Sequence, residues 1–292
     1  LVRPDWEDKD VRVFEVAYDA LAGYLVADAM TSKSDNWLKE CLRSERFFAN
    51  VVERKHLLAD DILSNLAWLY PRKNLRQMLY EIAPPELHDS IVRRSLDMDG
   101  EIMTKSLISE LIKLCKSDGR FARRCYSRVF ARSLDSDHPI NPLFLDEILL
   151  KLGCAERDGT WGRWVYENRQ GLYGRIDSML TRIRSLPAAL VNPVFICLKW
   201  LLVTNVCSLR DKATHCLVEM GIRHPKLTLD CICASLGCND PYVVERLAAS
   251  AYGILMGLNS LRHISRILQA KLLSSIFRRS FVFLVTKSKY FS

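Results

Sequence analysis

The chain has 292 residues, of which 49% are hydrophobic and 26% are charged. This composition excludes an intrinsically disordered chain, because enough apolar surface is present to offset the entropy of ordering. It suffices for one large core or two smaller ones. The net charge of +8 is uneven, since the seven Lys and Arg residues in 257–292, with no Asp or Glu, leave about +1 (8 − 7) for the rest. The body therefore lacks the basic surface of a general nucleic-acid-binding protein.

Apolar residues recur at helical spacing along most of the chain, which predicts an all-α fold. In chain order, the clearest stripes lie at 108–115, 172–183 and 213–220. We expect Pro187 to end the second stripe and Gly221, in a left-handed conformation, to end the third. Strand-like patterning is confined to 281–286.

Polar residues before prolines predict where helices begin. Asn141 and Asp240 each precede a proline that fits the first helical position, so each side chain is expected to cap a helix. The other prolines at helix boundaries are predicted to lie between helices: Pro71, Pro84, Pro85, Pro187 and Pro225.

The longest apolar stretch, 187–207, contains Lys199. A membrane-spanning helix would place this lysine near the bilayer centre at a cost of roughly 2.5–3.5 kcal/mol. The sequence therefore predicts a buried core helix and no membrane association.

Two segments, 209–217 and 244–252, align at an offset of 35 residues, with small residues at matching positions. Such residues let paired helices approach closely, and a period of this length is typical of stacked helical hairpins. We therefore predict an α-solenoid-like array of helical hairpins of the HEAT or TPR kind.

No motif for catalysis or cofactor binding stands out. A phosphate-binding loop needs Gly-Lys, which is absent, and there is no Gly-x-Ser-x-Gly nucleophile motif. The acids of 143–147 resemble a magnesium-binding element but are expected to be solvated residues of a helix. The Cys and His residues of 215–238 lack paired metal-ligand spacing, so core packing is favoured over zinc. The sequence predicts no enzyme and no cofactor in this chain.

The cysteines follow no regular framework. Cys115, Cys197 and Cys216 lie within apolar helical stretches, where they act as small hydrophobic residues. This usage is typical of a reducing compartment, so we expect a cytoplasmic protein.

One aromatic and basic cluster is a candidate partner-binding site. It comprises Arg157, Trp161, Arg163, Trp164 and Tyr166. These residue types dominate binding hot spots, and the two tryptophans, three residues apart, share a helical face. The alternative is that both tryptophans are buried against the next helix. The basic stretch 120–128 also has two interpretations. It is either a site for an acidic surface or a solvated helix face.

Several short stretches occur in the order expected for one family. Segment 14–27 keeps a pattern of a winged-helix element at Tyr18, Asp19, Leu21, Tyr24, Leu25 and Ala27, but has Ala20 and Gly23 where Arg and Asp are common. Further matches lie at 137–145 with 156–161, and at 209–214 with 239–249. Together these stretches resemble the bacterial antiviral STAND NTPases, a class of NACHT-like signalling ATPases.

The resemblance implies a three-part machine. An N-terminal effector precedes an ATPase that uses ATP and magnesium, and a C-terminal helical-repeat sensor binds a phage protein, such as a virion or packaging component. Because the chain begins with Leu1, we expect it to be cut from something longer. Residues 1–60 would be a winged-helix remnant or helical linker, 61–257 the sensor region, and 258–292 a basic tail with a truncated or aberrant end. Homo-oligomers would belong to the full-length protein.

Two alternatives stay open. The array could be a generic scaffold for a cellular protein, without a role in defence. Nucleic acid could bind through the basic tail, in which case binding would be steeply salt-dependent.

Overall fold

The structure is a computed structural model that describes residues 2–8, 11–16, 19–53, 55–132 and 137–260, with the backbone alone for the two strands and for 259–260. Helices packed against one another dominate, which confirms the predicted all-α helical-repeat array. The chain divides into two compact units, Leu1–Ser117 and Asp118–Ser292. Among the described residues, no helix has both the length and the hydropathy that are needed to span a bilayer.

The first unit begins with an antiparallel hairpin of β1 (Val2–Asp8) and β2 (Val11–Val16), in which Val2 pairs with Val16 and Asp5 with Val13. The sequence analysis did not predict it, although β-branched residues recur in β2. The predicted strand at 281–286 lies outside the described residues.

The helices of the first unit are short and follow one another closely. They are α1 (Asp19–Thr31), α2 (Asp35–Arg43), α3 (Glu45–Phe47), α4 (Ala59–Lys73), α5 (Leu79–Ile82), α6 (Pro85–Arg94) and α7 (Lys105–Ser117). A π-helical turn, Phe48–Val52, extends α3, and a 3-10 turn, Ser95–Asp97, extends α6.

Helices α1 and α4 approach closely at Gly23. A Cβ atom added to this glycine would lie 2.4 Å from the Cβ atom of Asp61 on α4. A larger side chain at position 23 would therefore force the two backbones apart. Gly23 therefore has a packing role between these helices.

The expectation that Pro71 lies between helices is wrong. Pro71 lies inside α4, two residues before its end at Lys73, and is buried. Proline removes a backbone donor and usually ends a helix. Here α4 continues to Lys73 because its apolar face, which includes Leu66 and Tyr70 at 0% exposure, stays buried up to the last turn. The chain then turns at Leu75 and Arg76, which have positive φ angles of 49° and 67°.

The second unit contains the longer helices. They are α8 (Gly119–Ala131), α9 (Pro142–Leu150), α10 (Cys154–Arg157), α11 (Arg163–Glu167), α12 (Arg169–Arg182), α13 (Val191–Leu201), α14 (Cys207–Arg223), α15 (Pro225–Ser235) and α16 (Pro241–Ser260). A π-helical turn, Asp158–Gly162, joins α10 to α11, and 3-10 turns follow α12 and precede α13.

Both predicted polar caps are present. The Asn141 side chain accepts hydrogen bonds from the backbone N–H groups of Leu143 (2.8 Å) and Phe144 (3.4 Å). Asp240 does the same for Tyr242 (3.0 Å) and Val243 (3.4 Å). These side chains satisfy donors that the first turn of a helix leaves unpaired.

Most helices of the second unit pack in two layers. The first layer contains α9, α13 and α15, the second contains α12, α14 and α16, and α13 contacts α14 between the layers. Side-chain bonds link neighbouring helices of the second layer at separations of 35 residues, from Tyr173 to Ser208 and from Asp177 to Lys212 (2.6 Å). The predicted offset of 35 residues therefore separates equivalent positions on adjacent helices. It relates α12 to α14 as well as α14 to α16.

Gly221 is helical, and the prediction that it ends α14 in a left-handed conformation is wrong. Helix α14 continues to Arg223, and no described glycine has a positive φ. A Cβ atom at position 221 would lie 2.2 Å from Cδ1 of Ile254 on α16. Gly253 and Gly257 of α16 meet α14 in the same way, at 2.9 Å from Val218 and 2.7 Å from Ile222. The glycines thus permit the close approach that the sequence predicts for these helices.

Helix α13 is the buried core helix that the apolar stretch predicts. Every residue from Pro193 to Leu201 is buried, including Lys199. The Lys199 ammonium group is paired with Asp146 of α9, so the charge is buried with a partner. A buried lysine without one would be strongly destabilising.

Candidate protein-binding surface

The predicted aromatic and basic cluster occupies α10, the π-helical turn and α11. Arg157, Trp161 and Trp164 follow at spacings of four and three residues and are buried. Arg163 and Tyr166 lie on the opposite side and are exposed. We call the first group the inward face of this stretch and the second group its outward face.

The two tryptophans form the centre of an aromatic cluster. Their rings stack with centroids 5.1 Å apart and planes 22° from parallel. Tyr126 and Phe130 of α8 pack on them, with centroids 5.2 and 5.3 Å from the nearer ring of the pair. Each indole N–H is satisfied, because Trp161 donates to the Trp200 carbonyl (2.8 Å) and Trp164 to the Ser127 hydroxyl (2.9 Å). The alternative of burial against neighbouring helices therefore describes both tryptophans.

Arg157 is a buried cross-link between segments distant in sequence. Its guanidinium group pairs with Asp240 at 2.7 Å and donates to the carbonyl oxygens of Leu149 (3.2 and 3.1 Å) and Leu152 (3.0 Å). These carbonyls lie at the end of α9, where backbone acceptors lack helical partners. Arg157 thereby fixes the end of α9 to the cap of α16.

A second ion pair, of the buried Lys199 with the partly exposed Asp146, lies beside this network. Asp146 accepts hydrogen bonds from Lys199 and from the Trp200 indole N–H, the latter at 2.6 Å. The acids of 143–147, which were expected to be solvated, differ: Asp146 is paired and 21% exposed, whereas the Glu147 side chain is 51% exposed. The inward face and these pairs give the stretch a rigid support.

The outward face presents the two remaining residues of the predicted cluster. Tyr166 is 52% exposed, and the Arg169 guanidinium group lies 4.4 Å from its ring centroid. Arg163 donates to Glu167 at 2.8 Å, and this hydrogen bond, with the nearby charges of Arg163 and Arg123, lowers the pKa of the Glu167 carboxyl. An aromatic ring and guanidinium groups are thus held at the surface by local contacts.

Arg163 and Tyr166 line a surface cleft of about 540 Å³. Its other walls come from Asp158 and Gly162 of the π-helical turn, and from Val203 and Asn205 after α13. Sequence reasoning missed Val203 and Asn205, because nothing near them in the chain indicates that they approach residues 40 positions earlier. A cleft with an aromatic, two charged and one amide side chain can receive a protein side chain and hydrogen-bond its backbone.

The basic stretch 120–128 is divided in the same manner. Phe121, Tyr126 and Cys125 of α8 are buried, whereas Arg120 and Arg124 are exposed. The aromatic residues of this stretch therefore support the core, and its surface is basic.

The cysteines of the apolar stretches lie in the core. Cys115, Cys197 and Cys216 are buried, and burial raises the pKa of the Cys197 and Cys216 thiols to about 12. Within residues 19–53, 55–132 and 137–258, no group of three or more His, Cys, Asp or Glu side chains is placed to hold a metal ion.

Comparison with protein-family models, with curated proteins and with solved structures gives no match. The candidate surface is therefore defined by its geometry. The basic tail, 258–292, lies outside the described residues after Ser260.

Proposed function

We propose that this chain is a protein-recognition segment and that Arg163 and Tyr166 anchor its partner. The observation that carries the proposal is the division of one short stretch into two faces. The inward face is locked by stacked rings and buried hydrogen bonds, while the outward face presents Tyr166, with the Arg169 guanidinium group on its ring, and Arg163, which is bonded to Glu167. Rigid aromatic anchors cost little conformational entropy on binding, which is why they dominate hot spots.

The helical array supports this proposal in a second way. Stacked helical hairpins provide extended surfaces whose side chains vary without changing the core, and such arrays commonly bind proteins. In this proposal the chain binds and carries out no chemistry of its own.

The finer proposal is that the chain is the sensor segment of a bacterial antiviral STAND NTPase and binds a phage virion or packaging protein. It rests on the ordered motifs of 14–27, 137–145 with 156–161, and 209–214 with 239–249. In the full-length protein, ATP and magnesium would belong to the ATPase, and binding of the phage protein would trigger the effector.

The test begins with capture of a partner. The chain, with and without residues 258–292, is immobilised and exposed to lysates of infected and uninfected bacteria, and captured proteins are identified by mass spectrometry. Capture of one phage protein by both forms supports the sensor, whereas capture of a bacterial protein supports the scaffold. Capture of nucleic acid by the longer form alone would support binding through the tail.

Variants then connect capture to the surface. Tyr166→Ala should weaken binding about tenfold or more, as expected for a hot-spot tyrosine. Tyr252→Ala is the matched control, because Tyr252 is an exposed tyrosine of α16 (63% against 52% for Tyr166) outside the candidate surface. Equal binding by both variants would contradict the proposal.

A further inference from the structure

A second cleft, of about 320 Å³, lies beside α12 in the second unit. Its apolar lining comes from Met179 of α12, from Ile183 and Leu190 in the two 3-10 turns, from Leu186 between these turns, and from Val194 of α13. None of its lining residues belongs to the cleft that contains Arg163 and Tyr166. A ligand in this cleft would therefore occupy a site separate from the Arg163 and Tyr166 surface.

Two arginines stand at the edge of this apolar lining. Arg175 and Arg182 are seven residues apart, so they lie two turns apart on one face of α12. Both are exposed, and neither has an acidic side chain within 4 Å among the described residues. The lining contains no Asp or Glu at all.

One of these guanidinium groups is held in place. Nη1 of Arg175 donates to the Phe130 carbonyl at 2.6 Å, which leaves its other N–H groups for a ligand. Ala131, the next residue, also lines the cleft. Two guanidinium groups that have no acidic partner in the described part of the chain and lie beside an apolar lining favour a ligand that is both anionic and apolar.

The lining also indicates which class of anionic ligand fits. Single-stranded nucleic acids bind through bases that stack on aromatic side chains, and no aromatic residue lines this cleft. Aliphatic lining suits the side chain of a leucine or isoleucine, and the Ser178 and Ser185 hydroxyl groups can bond to a peptide backbone. We propose that this cleft binds an acidic segment of a partner protein, with an aliphatic side chain against Met179 and Leu186 and carboxylates on Arg175 and Arg182.

The probe for this proposal is a fluorescein-labelled peptide of two leucines flanked on each side by two glutamates. Fluorescence anisotropy measures its affinity for the full chain. Arg182→Glu should weaken binding about tenfold or more, because it replaces an attraction by a repulsion. Arg223→Glu, which makes the same charge change at an exposed residue of α14, should change the affinity by less than about twofold.

Two altered peptides separate the contributions of charge and apolar contact. Replacing the glutamates by glutamines should weaken binding about tenfold, and replacing the leucines by serines should weaken it by about the same factor. Arg175→Glu serves as a second protein variant, with circular dichroism as the check that it folds.

Unchanged affinity of the folded Arg182→Glu variant would overturn the proposal, as would equal binding of the serine peptide. Absence of binding up to about 1 mM peptide would do the same, since it means a free energy weaker than about −4 kcal/mol. Because Tyr166→Ala leaves this cleft intact, failure here and failure of the proposed function are distinguishable.

Discussion

The inward and outward faces of α10 and α11 contain the same kinds of residue in different surroundings. Arg157 and Trp161 are buried and bond to segments distant in sequence, whereas Arg163 and Tyr166 are exposed and their described contacts are with residues three or four positions away. The difference shows that residue type alone does not identify a binding site. The buried arginine and tryptophans hold the stretch in place, and in the proposed function this support lowers the entropy that the exposed pair would lose on binding.

The comparison predicts that replacing Arg157 destabilises the protein far more than replacing Arg163. Arg157→Ala should lower the free energy of unfolding by about 3–5 kcal/mol, because it leaves the Asp240 carboxylate without its ion-pair partner and removes the hydrogen bonds that join α9 to α16. Arg163→Ala should leave the urea midpoint unchanged within error, since its ion pair is exposed. Urea unfolding followed by tryptophan fluorescence measures both. A similar midpoint for the two variants would contradict the division into faces.

The same contrast between buried and open positions applies to glycines. Gly221→Ala should destabilise the protein by about 1–3 kcal/mol, because the added methyl overlaps Ile254. Gly174→Ala in α12, where no atom lies within 4 Å of the added methyl, should stabilise it by about 0.5–1 kcal/mol. Ile254→Ala should cost less in the Gly221→Ala background than alone, as thermal unfolding of the double mutant would show. A gain of stability for both glycine variants would mean that α14 and α16 are less close than described.

A buried tyrosine in the first unit gives a pH-dependent test. Burial first, and then the charge and hydrogen bond of Asp35, raise the pKa of Tyr70 to about 12. The folded state therefore keeps this proton longer than the unfolded state, and its contribution to stability is lost as pH rises from about 10 to about 12. Tyr70→Phe should remove this step from the alkaline unfolding curve and one late-titrating tyrosinate from the absorbance titration. An unchanged titration would contradict the assignment.

The smallest expected effect is a change in the pKa of Glu167 on the outward face. The Arg163 hydrogen bond keeps the pKa of Glu167 below its usual value, so this contribution to stability is present at neutral pH and lost as pH falls. Arg163→Gln should raise the Glu167 pKa towards its usual value, which NMR titration of the carboxyl carbon can follow. Arg223→Gln is the control and should leave the pKa of Glu167 unchanged.

Local signals in the sequence predicted much of the helical array. Asn141 and Asp240 cap helices as expected, because a cap depends on residues within one turn. The apolar stripes identify buried faces, and the offset of 35 residues identifies neighbouring helices. Gly221 fails as a cap because the approach of α16, a tertiary contact, keeps the glycine helical.

The site was predicted only in part. The sequence named Arg163 and Tyr166 together with Arg157, Trp161 and Trp164, because helical spacing shows which residues share a face but not which face is buried. Asp146 and Lys199, 53 residues apart, form a pair that no local pattern indicates. The cleft needs Val203 and Asn205, whose position depends on how α13 packs.

The central claim is that the outward face binds while the inward face supports it. The most direct measurement is calorimetric titration of the captured partner against Tyr166→Ala and Trp164→Phe, together with the unfolding midpoint of each variant. The account predicts that Tyr166→Ala loses affinity about tenfold at unchanged stability. It predicts that Trp164→Phe loses stability, through the Ser127 hydrogen bond, and binds normally while folded. Loss of affinity by the folded Trp164→Phe variant alone would contradict the claim.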